Sequence, residues 1–270
     1  MKLYLEGVGL CAGGLPNWLE GRDVLAGRVP YCESEIAMAA SALLPPAERR
    51  RTTDTVKLAM TVGAEAIAHA GLRAEDIPSV FTSSGGDGKT ITAILAVLAS
   101  PLREVSPTRF HNSVHNAPAG YWSIATGCRE ASTSICAYDF SFAAGLLEAA
   151  TRALTEQCPV LLVAYDVPYP PALAACRQIV APFGVALVLS PHRTANTFAD
   201  LSIELSANPG QETILNDPAI EMLRAGVPAA RALTLLTALA RGGKQDVILA
   251  YVADNGLAIC VTPATSRDAK

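Results

Sequence analysis

Residues 139–164 read DFSFAAGLLEAATRALTEQCPVLLVA. Phe142, Leu146, Ala150 and Leu154 recur every four residues, which predicts a helix from Asp139 to Gln157 with one apolar face. Glu148 and Arg152 on that helix stand at the i, i+4 spacing of an ion pair. Val160 to Ala164 then form an unbroken apolar run, the pattern of a strand covered on both faces. A helix running straight into such a strand predicts an α/β fold with a mixed sheet.

The flanking sequence extends the alternation. Leu3 to Leu10 reads as a strand with Gly7 and Gly9 in its second half and a Gly13-Gly14 turn after it. From Thr55 to Gly71 the residues Leu58, Val62 and Ala66 mark a helix, with Gly71 as its stop. Ser79 to Thr82 reads as a buried strand, leading through Ser83-Ser84-Gly85-Gly86-Asp87-Gly88 into a helix with Ile91, Ile94, Leu95 and Leu98. Gly184 to Leu189 is a second fully apolar strand. Leu201 to Leu205 alternates as an edge strand does. Asp217-Pro218 opens a helix as N-cap and N1; it breaks near Gly226-Val227-Pro228, resumes to Arg241 and stops at Gly242-Gly243. Val247 to Val252 and Leu257 to Val261 flank Asp254-Asn255-Gly256, a hairpin signal. No repeat or low-complexity tract interrupts the chain, and a seam is expected near Pro191.

Composition narrows the function classes. Half of the 270 residues are apolar and 17% are charged, which excludes a disordered chain. Lys and Arg total 21 against 25 acids, a net charge of −4, so no electrostatic footprint for nucleic acid is present. So low a charge fraction predicts apolar surface that meets a protein partner. Glu6 interrupts the start before a signal-like apolar core can build, and no run nears the roughly 18 apolar residues of a membrane span. A cytoplasmic protein without membrane insertion is expected. Seven cysteines (Cys11, Cys32, Cys128, Cys136, Cys158, Cys176 and Cys260) contain no C-x-x-C pair; they read as reduced thiols, mostly small core residues, with no metal or cofactor implied.

Three constellations carry potential chemistry. Ser83 to Thr90, S-S-G-G-D-G-K-T, misses the phosphate-loop motif by one residue, with Ser83 where Gly is required. Leu161 to Asp166 supplies a strand ending in Asp, as a magnesium-side partner would, but Asp87 would sit inside the anion nest and repel a phosphate. The competing reading is a strand-to-helix turn capped by Asp87. Cys136 precedes a helix whose dipole could lower a thiol pKa, yet Ser134 to Ala137 is strand-like, and a buried structural cysteine is the favoured reading. His69 lies on a helix as a solvated or capping residue. His111 and His115, in F-H-N-S-V-H-N, either line a site or bond their own loop.

In order along the chain, these pieces resemble the N-terminal half of the β-ketoacyl synthases. The resemblance rests on Glu6-Gly7-Val8-Gly9-Leu10 with Trp18 and Gly27, on Thr82-Ser83-Ser84-Gly85-Gly86, and on Val105-Ser106-Pro107 through Asn116-Ala117-Pro118-Ala119-Gly120. Gly127 to Ile135 and Phe183 to Leu189 complete it, over about residues 1–192. It implies a thiolase-like layered α/β/α architecture, with 193–270 as a shortened C-terminal half packed on the first region in one continuous domain. The family's reactive cysteine opens the long helix; counting forward from Gly127 places it at Asp139, and counting back from the Val160 strand places it at Phe140. Neither side chain forms an acyl thioester, though a carboxylate at Asp139 would still cap the helix. The family's two catalytic histidines lie in its C-terminal half, and no histidine follows His192.

A ketosynthase-like chain without its nucleophile resembles a chain-length factor, an inactive subunit paired with an active ketosynthase. The phrase H-N-S-V-H-N-A-P-A-G-Y-W-S-I-A-T-G looks most like the short subunit of aryl polyene clusters. The resemblance implies a heterodimer with a catalytic β-ketoacyl synthase and transient contact with an acyl carrier protein. Family subunits pair through the strand before the nucleophile, about Ser132 to Ala137. The implied tunnel or interface residues are Phe110, His111, His115, Asn116, Ser132, Ser134, Cys136, Tyr138, Phe140 and Phe142. Two enzyme readings stay open: an acyltransferase or condensing enzyme using Cys136 with His111 or His115, and a nucleotide-binding loop at Ser83 to Thr90 using Lys89.

Overall fold

The computed structural model describes residues 1–36 and 38–264. Its strands are β1 (Lys2–Ala12), β2 (Ser79–Thr82), β3 (Ser132–Ile135), β4 (Val160–Asp166), β5 (Phe183–Ser190), β6 (Ala199–Ala207), β7 (Gln245–Ala250) and β8 (Asn255–Pro263). The helices are α1 (Trp18–Leu25), α2 (Pro46–Arg49), α3 (Asp54–Ala70), α4 (Gly88–Leu98), α5 (Pro107–Asn112), α6 (Ala117–Thr126), α7 (Ser141–Glu156), α8 (Pro171–Ala174), α9 (Pro218–Gly226) and α10 (Leu233–Arg241). The strands form one mixed sheet in the order β3-β2-β4-β5-β1-β6-β8-β7. β2 runs parallel to β3 and β4, with helical crossovers between them, and the remaining pairs are antiparallel.

The unbroken apolar run of β4 follows from its central place. Leu161 and Val163 enter a core beneath α3 and α6, while Leu162 and Ala164 enter a second core beneath α7 and α10. Gly71 ends α3 in the left-handed conformation, and Asp217 caps α9 by accepting from Ala219 N at 2.9 Å and Ile220 N at 3.1 Å. α3 lies against the backbone of β1: a Cβ on Gly9 would stand 2.0 Å from the Val62 carbonyl oxygen. That approach explains the two glycines in the strand.

β1 bulges between Leu5 and Gly7, and β6 pairs only with Lys2 to Leu5. Beyond the bulge, α3 side chains take the place of a neighbouring strand. Glu65 accepts from Leu10 N at 2.9 Å and Trp18 N at 2.6 Å, and His69 Nδ1 lies 3.1 Å from Val8 N. His69 is exposed as a residue, but it does not cap its helix: one ring nitrogen is taken by the β1 backbone, and one ring face stacks on Phe198. Burial pushes the His69 pKa below its ordinary 6.5, helped by nearby Arg22. Below pH 6.5 the unfolded chain thus binds more protons at this position than the folded one. The stability His69 contributes is complete above pH 6.5 and is lost as pH falls through the folded value. The melting-temperature gap between the native chain and His69→Ala should accordingly be widest at neutral pH and shrink toward about pH 5; a gap that widens on acidification would contradict this.

Several expectations are corrected. Leu201 to Leu205 belongs to β6, which is interior, between β1 and β8; its alternation reports one solvent-facing side, not an edge. The hairpin exists, but its two positive-φ residues are Ala253 (54°) and Asp254 (64°), and Asn255-Gly256 already begins β8. Arg152 pairs with Glu156 at 2.8 Å rather than with Glu148. The long helix starts at Ser141, after a 3-10 turn over Tyr138–Phe140. Only Cys11 and Cys128 are buried; Cys32, Cys136 and Cys176 are exposed because they lie in loops. Burial, with Glu65 nearby, pushes the Cys11 thiol up to about 11.

The two ends of the sheet differ. Thr213 covers the outer edge of β7, its N–H donating to Ile248 O at 3.0 Å and its hydroxyl accepting from Ile248 N at 2.8 Å. Among the described residues no segment pairs with the outer edge of β3. α4, packed on α5 and α8, is apolar along most of its length, yet only Gly88 and Thr90 are buried.

Candidate functional site

The turn from β3 into α7 is strained and tied down. Tyr138 has φ 54° without being glycine, a conformation that costs energy and clusters at functional sites. The Arg177 guanidinium lies 3.3 Å above the Tyr138 ring and donates to Asp139 Oδ1 at 2.6 Å. Asp139 therefore does not cap α7. The Ser141 hydroxyl fills the turn instead, accepting from Ala137 N and donating to Tyr138 O. Phe140 meets Tyr251 edge-on and borders a cavity of about 650 Å³ with Pro209, Gly210 and Ile248. An adjoining cavity of about 270 Å³ adds Asp139, Ala143 and the Glu212–Arg231 ion pair.

Behind this turn, the Ser83–Gly86 loop is held by one buried carboxylate. Asp166, at the end of β4, is 3% exposed. It accepts from Ser83 Oγ at 3.1 Å, Ser84 N at 2.8 Å, Ser84 Oγ at 2.8 Å and Ala229 N at 2.9 Å. Burial pushes its carboxyl pKa up, while the serine and backbone donors pull it down. The outer side of the loop takes other partners: His115 Nε2 lies 3.1 Å from Ser83 O, and Cys136 Sγ lies 3.1 Å from Ser84 O. Tyr169 closes over Gly85, whose Cβ would collide with the phenol oxygen.

In this geometry the members of the proposed catalytic pairs take other partners. Cys136 is exposed rather than buried, and it and His115 face successive carbonyls of one loop instead of each other. His111 lies elsewhere, edge-on to Tyr121. The phosphate-loop reading fails on its lysine: Lys89 Nζ binds Asp54 at 2.6 Å, and Asp87 caps α4 through Thr90 N at 2.9 Å. Phe110 is 68% and Tyr138 58% exposed. Asn116 precedes α6 without a side-chain capping bond. Ser132 accepts from Ser79 Oγ, and Ser134 is half-buried on β3. Phe142 packs in the core and presents no face to an interface. Sequence reasoning missed Arg177 and Tyr169, which lie in an irregular, proline-rich segment without periodicity. The sequence marks Asp166 as a magnesium-side residue, whereas its carboxylate accepts from the Ser83–Ser84 loop and Ala229 N.

The class follows from the fold and this turn together. A match to the family described as β-ketoacyl synthase, N-terminal domain, covers residues 26–242, and the chain belongs to that family. Its layered, mixed-sheet architecture is thiolase-like. Among solved structures it is similar to the ketosynthase ApeO in complex with its chain length factor ApeC from Xenorhabdus doucetiae. That likeness has a TM-score of 0.72 and 21% identity, over 96% of this chain and 99% of that one. It is also similar to AntDE:AntF, a type II polyketide synthase acyl-carrier protein in complex with its ketosynthase bound to the hexaketide (TM-score 0.74, 9% identity, 97% and 99% covered). The ishigamide ketosynthase/chain length factor gives a TM-score of 0.68 at 14% identity, with 97% and 99% covered. The TM-scores show that this chain shares the fold of these proteins. No curated protein matches the sequence. Among the described residues no helix is long and apolar enough to cross a membrane.

Proposed function

We propose that this chain is a non-catalytic, chain-length-factor-like subunit that pairs with an active β-ketoacyl-ACP synthase in aryl polyene biosynthesis in the cytoplasm. The observation that carries the reading is that the chain presents both an exposed apolar helix, α4, and an uncovered sheet edge at β3. An unpaired edge is a template for another chain, and an apolar helix face left in water is the mark of an interface. Ser132, Ser134 and Cys136 would lie at the joint, with His115 and Asn116 beside them. Phe110, Tyr138 and Phe140 would bound the acyl tunnel. The partner's cysteine would take the acyl chain from an acyl carrier protein and carry the condensation with a malonyl unit.

Loss of the chemistry on this chain is supported by the residues that replace it. The turn into α7 offers Tyr138, Asp139 and Phe140, none of which forms a thioester, and no histidine follows His192. Residues 1–192 and 193–270 would act as one continuous domain, since β1 pairs with β5 on one side and β6 on the other. The test is co-expression with the catalytic ketosynthase encoded beside it, followed by intact-mass analysis after incubation with acyl carrier protein. A one-to-one complex acylated only on the partner is expected. A mass shift on this chain that disappears in Cys136→Ala would instead make it an acylating enzyme.

A further inference from the structure

Arg49, Arg50 and Arg51 close α2 and the turn after it, and Arg109 lies on α5. Arg50, Arg51 and Arg109 are exposed, and Arg49 is half-exposed. Arg51 pairs with Glu48 at 3.2 Å; the other three make no ion pair among the described residues. Arg103 and Glu104, nearby in the chain, offset one another in charge. A chain of net charge −4 thus concentrates unpaired positive charge at one place.

That place adjoins the apolar surface. Asn112 Nδ2 donates to the Arg51 carbonyl at 2.8 Å, and the Tyr121 hydroxyl donates to Asn112 Oδ1 at 3.0 Å, so the arginine segment is fastened to α5. A cavity of about 320 Å³ lies between them, bordered by Glu48, Arg51, Thr108, His111 and Ile124. α5 in turn packs on α4 and carries the exposed Phe110, with exposed Val114 just beyond it. The order across the surface is apolar helix, mixed helix, then arginines. Protein interfaces share this anatomy, an apolar centre with a polar rim, and arginine is enriched in them relative to the rest of the surface.

We infer that the arginine cluster is the charged rim of the interface and steers this chain to a catalytic ketosynthase whose facing rim is acidic. The inference rests on the pairing reading above and adds the chemistry of the partner's surface. Rim charges act mainly on the rate of encounter, since they orient the partners before the apolar centres touch. The Debye length is about 10 Å at 0.1 M salt, so the steering weakens as salt is added.

The test measures association and dissociation rates with the catalytic ketosynthase encoded beside this chain, at about 20 mM and 300 mM salt. Arg49→Glu, Arg50→Glu and Arg109→Glu are combined in one variant. The association rate constant should fall about tenfold or more at low salt, with dissociation changed less than about twofold. The difference should close at high salt. The corresponding triple Gln variant should fall between the two. A complex that forms at the native rate in the Glu variant overturns the steering role and leaves the pairing reading intact, as does weaker binding of acyl carrier protein with unchanged heterodimer kinetics. A native chain that forms no complex overturns both. Should the Glu variant fail to fold, the native chain alone decides: an association rate indifferent to salt overturns the inference.

Discussion

Leu95→Glu combined with Leu98→Glu is expected to abolish the complex with the catalytic ketosynthase while leaving the isolated chain folded. Leu95 is 55% exposed and Leu98 46% exposed, so neither contributes much to this chain's own core. Surface changes of this kind shift stability by no more than about 0.5 kcal/mol, and the melting temperature should hold. In an interface the balance differs. Burying each leucine is worth about 1.5–3 kcal/mol, and a glutamate in its place must lose its hydration without a partner. A combined loss of about 4 kcal/mol corresponds to roughly a thousandfold in Kd. The double variant should also be more soluble alone. Ile214→Glu supplies the control, because it follows Thr213, which covers the opposite edge of the sheet. Titration calorimetry or co-purification reads the result, and undiminished binding by the double variant would remove α4 from the interface.

The sequence revealed what burial alone determines. β4 could be read because both its faces are apolar, and the ends of α3 and α9 because Gly71 and Asp217 are required by backbone geometry there. Hydrogen-bond neighbours were less legible. β6 alternates because solvent covers one face, and that pattern is the same at the edge or in the middle of a sheet. Arg152 has a carboxylate four residues away in either direction, so spacing could not choose between Glu148 and Glu156. The strained turn at the candidate site was hidden for a related reason. Its left-handed residue is Tyr138, where no glycine marks the position, and the side chain that clamps it, Arg177, lies 39 residues later in a segment without periodicity. The family's motif order located the turn; only coordinates show which side chain occupies it.

Asp166→Ala should be the most destabilising single change at the candidate site. The carboxylate joins three separate parts of the chain: the end of β4, the Ser83–Gly86 loop and the segment at Ala229. Removing it leaves the Ser84 and Ala229 N–H groups buried without acceptors, each at a cost of about 1–3 kcal/mol. The two serine hydroxyls can rotate toward other acceptors, so they add less. A loss of about 4 kcal/mol is expected, a large share of the 5–15 kcal/mol typical of a whole domain. Asp166→Asn should lose less, because the amide keeps one oxygen acceptor and confronts only one side of the site with its own N–H groups. The ordering Asp above Asn above Ala in a denaturant melt is the expected result. A second readout follows from the outer side of the loop. Cys136 Sγ contacts Ser84 O, so loosening the loop should speed labelling of that thiol in Asp166→Ala under conditions where the chain is still folded. Equal stability of all three forms would mean that the loop is held by Tyr169 and His115 instead. An unchanged labelling rate with reduced stability would confine the role of Asp166 to joining β4 with the Ala229 segment.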